Sequence, residues 1–129
     1  MHRGFLIAAA LIGALSVALG AFAAHTLRQQ LAPDAVGTFE TGVRYQFYHV
    51  FALLAVAILY EKFPGGALRW AGNCFVIGIL LFSGSLYLMT VLRLNDMVGG
   101  KGLGIITPFG GLFFIAGWML MLVAFVRKP

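Results

Sequence analysis

The chain has 129 residues, 61% of them apolar and 10% charged, with a mean hydropathy of +0.96 and a formal net charge of +5. A soluble domain is nearer half apolar and a quarter charged, and so small a fold leaves much of its surface in water, so a soluble globule is excluded and a bilayer is the fitting solvent. The basic residues stand singly between apolar runs, which argues against a nucleic-acid surface, and the lone Cys74 rules out an internal disulfide or a thiolate metal cluster.

Four segments approach the roughly 20 apolar residues a helix needs to cross the hydrocarbon core. They predict an all-α, integral membrane, four-helix up-and-down bundle in a single transmembrane domain over 1–129. Its spans are expected at about 4–24, 45–60, 70–92 and 105–126. The first begins after Arg3 and ends in "AFAA" at Ala21 to Ala24, the outline of a secretory signal with a small-residue cleavage site. Its interior argues for a retained helix. At about 100° per residue, Ala9, Gly13, Ser16, Gly20 and Ala24 share one side, and small residues there let membrane helices approach closely.

Between His25 and Arg44 the stretch "APDAVGTFETGVRY" has a helix start at Pro33 and Asp34, with Phe39 and Val43 spaced to share a face. It predicts a short interfacial helix before the second span, continuous with it. The second span opens on "RYQFYH" before turning apolar as far as Tyr60. On a helical wheel Tyr45, Tyr48, His49, Ala52 and Ala55 lie on one side and are expected to face the bundle. Phe47, Val50, Phe51, Leu54 and Ile58 are expected to face lipid.

After the turn "PGG" at Pro64 to Gly66, the third span places Ser83, Tyr87 and Thr90 on one helical face. Tyr87 lies six residues inside Arg93 and His49 five inside Arg44, so both fall about 8–9 Å below the same membrane surface. "GGKGLG" at Gly99 to Gly104 lacks phosphate-loop spacing and reads as a turn. The fourth span carries its own small-residue stripe in Thr107, Gly110, Gly117 and Ala124. Such stripes suit packing within the bundle or pairing with a second copy, so a homo-oligomer through small-residue faces is a candidate assembly.

Up-and-down threading gathers the scattered polarity into one half of the bundle. The candidate cluster is His25, Arg44, Tyr45, Tyr48, His49, Ser83, Tyr87, Thr90 and Thr107. The plainer reading is a satisfied hydrogen-bond network that fixes helix register, and the functional one is a site for a small molecule or lipid headgroup.

Four blocks carry a resemblance: "GAFAAH" at Gly20 to His25, "YQFYHVFALL" at Tyr45 to Leu54, "FSGSLYLMT" at Phe82 to Thr90 and "ITPFGGLFFIAGW" at Ile106 to Trp118. In order and at matching length they resemble the domain-of-unknown-function 423 family of small bacterial inner-membrane proteins, which has a small eukaryotic transmembrane relative. The sequence departs from the family pattern at Ala23, where that pattern has glycine. The resemblance implies a multi-pass inner-membrane protein and carries no activity, cofactor or catalytic residue with it.

The residues themselves weigh the rival functions. Proton-coupled export normally uses a carboxylate inside the membrane, yet Asp34, Glu40, Glu61 and Asp96 all fall in or beside loops. His25 and His49 flank one loop, which keeps a bis-histidine haem protein open beside a small-molecule transporter as the alternatives. Ser83 or Ser85 with His49 lacks the hydrolase elbow, so no enzyme is expected, and neither a metal nor a cofactor is. The reading that fits best is a non-catalytic bundle whose polar mouth suits a lipid, a quinone-like amphiphile or a partner helix. Membrane lipids are its expected surroundings, in a bacterial inner membrane with cytoplasmic termini.

Overall fold

The computed structural model describes residues 1–95 and 102–127. Four helices among them are long and apolar enough to cross a membrane: α1 (Arg3–Gln30), α2 (Pro33–Leu59), α3 (Gly66–Leu94) and α4 (Leu103–Val126). No strand occurs among the described residues. At about 1.5 Å per residue each helix exceeds the ~30 Å hydrocarbon core, so the expected spans are the embedded parts of longer rods.

The turns follow from local chemistry. Leu31 and Ala32 adopt extended backbone between α1 and α2. Pro33 then occupies the start of α2, where its missing N–H is no loss, and Asp34 lies in the first turn against the positive end of the helix dipole. The helix expected from Pro33 onward is there, and it runs without a break into the second span. Its Val36, Phe39 and Val43 are buried with Ala23 and Leu27 of α1. Between α2 and α3, Gly65 has φ +142°, a backbone region that favours glycine.

α2 and α3 form the central pair, with α1 packed along α2 and α4 along α3. Glycine sets how closely α3 and α4 approach. A Cβ on Gly110 would overlap the backbone of Phe82, one on Gly117 the Phe75 ring, and one on Gly78 the Phe114 ring. The small-residue stripes are therefore spent inside the bundle: Ala9 and Ser16 are buried on α1, and Gly110, Gly117 and Ala124 on α4. Ala24 is exposed and Ala23 takes its place in the interior. This exchange falls where α1 widens into a π-helical turn, Ala23–Leu27; α3 has a second, Ile79–Ser83. Such turns shift the residues that follow around the helix axis, which a uniform period does not foresee.

Two apolar clusters result. The larger joins Phe5, Ala9, Leu53, Val56, Leu68 and Phe75 to Phe114 and Met121 in the half nearest the termini. The smaller surrounds Phe39 and Leu27 near the α1–α2 turn. A polar layer lies between them.

Candidate functional site

The polar layer is built from α1, α2 and α3. Gln46, only 1% exposed, accepts a 2.5 Å hydrogen bond at Oε1 from the Tyr87 hydroxyl. Its Nε2 donates to the Ile12 carbonyl at 3.2 Å, and Ser16 donates to the same carbonyl at 2.7 Å. Ser83 donates to the Gly42 carbonyl at 2.6 Å. The Tyr87 ring lies against Phe39, and a Cβ on Gly42 would stand 2.8 Å from it. Every buried side-chain polar atom among the described residues has a partner. In hydrocarbon that satisfaction is what lets polar groups remain. The layer ties three helices together through hydrogen bonds.

His49 belongs to a separate site. It is 4% exposed and bridges α2 to α4, which do not pack backbone to backbone. Its ring stacks on Phe114 with centroids 3.6 Å apart and planes 6° from parallel. Trp118 Nε1, a donor only, reaches His49 Nε2 at 3.1 Å, while His49 Nδ1 lies 2.7 Å from the Tyr45 carbonyl, an acceptor only. Together these partners fix the tautomer: Nε2 accepts, and Nδ1 carries the proton and donates it. Both nitrogens of His49 are thus engaged within the protein, while Ser85 pairs with Thr107 at 2.5 Å and Ser83 with the Gly42 carbonyl at 2.6 Å.

Beside this stack the gap between α2 and α4 forms a groove of about 610 Å³. Tyr45, Tyr48, His49, Phe82, Gly111, Phe114, Ile115 and Trp118 line it. Tyr45 is 37% and Tyr48 53% exposed, and neither hydroxyl has a protein partner among the described residues. The walls are aromatic faces, and the polar groups on offer are two phenols.

The nine candidates thus part company. His49 and Tyr87 are both interior, but on different seams. Ser83 joins the Gly42 carbonyl, Thr107 joins Ser85, and Thr90 bonds only the Leu86 carbonyl of its own helix. His25 is exposed and Tyr45 and Tyr48 turn to the groove. Arg44 is exposed and makes no ion pair among the described residues. Glu40 binds Arg28 at 3.4 Å and Asp34 binds Arg93 at 3.6 Å, while Asp96 lies outside the described residues. The buried face of α2 is also turned roughly a third of a circle from the expected one. It centres on Phe39, Gln46, Val50, Leu53 and Ala57, so Val50 is buried rather than lipid-facing and Tyr45 and Tyr48 are exposed, while His49 and Ala52 are buried and Phe51 and Ile58 exposed as expected. The cause is shape. Val43 and Val50 fit over Gly20 and Gly13 of α1, a fit that Tyr45 and Tyr48 are too large to make. Sequence reasoning missed Gln46, Phe114 and Trp118. An amide inside an apolar run was the available signal for the first.

Comparison with known proteins finds relatives named as membrane proteins. The pattern of the family described as "Protein of unknown function (DUF423)" matches residues 19–111. The chain is similar to the UPF0382 membrane protein YwdK of Bacillus subtilis, 40% identical over 124 residues, 95% of this chain and 96% of that one. It is similar to the UPF0382 inner membrane protein YgdD of Escherichia coli K12, 38% identical over 125 residues, 97% and 91% of the two chains. A UPF0382 membrane protein of Haemophilus influenzae is 42% identical over 119 residues, 92% and 90% of the two. No solved structure matches the chain.

Proposed function

The chain belongs to the DUF423 family of multi-pass inner-membrane proteins, and from that premise we propose that it is a non-catalytic membrane bundle that holds an amphiphile in the groove between α2 and α4. The observation that carries this reading is the groove itself. It is an aromatic-walled recess beside a gap that the helix backbones do not close. A volume of about 610 Å³ is in the range of small-molecule sites, which are mostly apolar with a few placed polar groups. The non-catalytic half rests on the bonding inventory. Among the described residues no carboxylate lies deep in a helix pair, and both nitrogens of His49 and the hydroxyls of Ser83 and Ser85 are committed. The same commitment of His49 weighs against a bis-histidine haem, and the missing intramembrane carboxylate against a proton-coupled transporter.

Filling the groove tests the reading. Gly111 lines the groove and a Cβ there meets nothing within 4 Å, so Gly111→Phe directs a ring into the groove from a position with room for its first carbon. Native mass spectrometry of the purified protein is expected to show a retained amphiphile that the variant loses while its melting temperature holds. Equal retention by both proteins would remove the groove as the site.

A further inference from the structure

We infer that the occupant is an anionic phospholipid, with its phosphate at Arg44 and Tyr48 and one acyl chain in the groove; this rests on the groove reading. The argument begins with depth. Counting up from Tyr60, about 20 residues of α2 cross the hydrocarbon core, which puts the opposite boundary between Glu40 and Arg44. Arg44 therefore stands at the level of the headgroups, where a long cationic side chain reaches the interface. Tyr48 follows it by four residues and so lies beneath it on the same helix face. Helical side chains lean toward the N-terminus, which carries the Tyr48 phenol upward toward Arg44.

Charge then selects the headgroup. On this side of the bundle Arg28 is held by Glu40 and Arg93 by Asp34. Arg44 has no carboxylate within ion-pair distance among the described residues. A guanidinium with a phenol below it is a good receptor for a phosphate. Farther into the groove no lysine or arginine contributes to the lining, and Phe82, Phe114, Ile115 and Trp118 offer only apolar or ring surface. That is the polarity gradient of a phospholipid, charged at the interface and hydrocarbon below. A neutral ring-headed amphiphile would leave Arg44 unused.

Trp118 lines the groove and Trp70 does not, and these are the two tryptophans of the chain. In the Trp70→Phe protein, Trp118 fluorescence reports the occupant. The protein is reconstituted in phosphatidylcholine vesicles containing either phosphatidylglycerol or phosphatidylcholine brominated in mid-chain, at equal mole fraction. Brominated phosphatidylglycerol is expected to quench with an apparent affinity about fivefold higher, the preference one interfacial arginine supplies. Arg44→Gln should abolish the preference and Arg44→Lys should keep most of it. Equal quenching by the two lipids, or a preference that survives in Arg44→Gln, would overturn the inference while leaving a groove that binds lipid without regard to headgroup. Displacement of both brominated lipids by decylubiquinone would overturn it in favour of a neutral ring-headed ligand. Gly111→Phe is the control for the groove itself. If it quenches as fully as the parent, the bromines sit outside the groove, and both the groove reading and this inference fall.

Discussion

Gln46 is the residue whose loss should be felt most, because it ties α1, α2 and α3 together through two hydrogen bonds. Gln46→Leu leaves the Tyr87 hydroxyl and the Ile12 carbonyl short of a partner, although Ser16 still serves the latter. An unmade buried bond costs about 1–3 kcal/mol, so a clear drop in melting temperature in detergent is expected. Tyr87→Phe alone strands the amide oxygen at similar cost. The double variant removes both partners and should be more stable than the sum of the single losses implies; strict additivity would show that the 2.5 Å contact carries no coupling. A second outcome belongs to His49. Ring ¹⁵N shifts should show the proton on Nδ1 and a bare, accepting Nε2, and Trp118→Phe should move the Nε2 signal most. The helical wheel placed His49 on the side facing the bundle, and it is buried there. The wheel could not mark Trp118 as the partner, because 69 residues separate them and only the packing of α2, α3 and α4 brings them together.

The number and order of helices were legible because run length is a direct reading of bilayer thickness. The rotation of α2 was not. Both sides of a membrane helix are apolar, so polarity says little about which faces protein, and shape decides instead. Val43 and Val50 over the glycines of α1 outweigh the phenols, and the π-helical turns add a displacement that no fixed period contains. The glycine seam of α3 and α4 was legible as a stripe, though its orientation toward α3 was not. A matched pair tests it. Gly110→Ala drives a methyl group into the Phe82 backbone, which cannot move as a side-chain tip can, and overpacking of this kind costs about 1–3 kcal/mol. Gly111→Ala, one residue on, meets open space and should be neutral or slightly stabilising through helix propensity. Equal melting temperatures for the two variants would mean that α4 is rotated from the position described.

At the scale of the whole molecule the fold divides its charge between two membrane faces. Four helices place both ends of the chain and the α2–α3 turn together, and the α1–α2 and α3–α4 turns opposite. Among the described residues the first face carries Arg3, Lys62, Arg69 and Arg127 with Glu61 as its single acid. The second carries Arg28, Arg44 and Arg93 with Asp34 and Glu40. Counting cations alone separates the faces by a single residue, which is why the sequence gives orientation only weakly. The structure adds that Arg28 and Arg93 are bound to acids on their own face. On the first face Arg69 reaches only the neutral Tyr60 hydroxyl, at 2.9 Å. The face with the termini holds the slight excess of Lys and Arg, and juxtamembrane Lys and Arg are retained on the cytoplasmic side, so cytoplasmic termini are predicted. A fluorescent reporter fused after Pro129 should mature and glow in cells, while a phosphatase in the same position should stay inactive. Active phosphatase and a dark fluorescent fusion would invert the molecule. Arg44 and the groove mouth would then face the cytoplasmic leaflet, and the phosphatidylglycerol preference would have to be read in that leaflet.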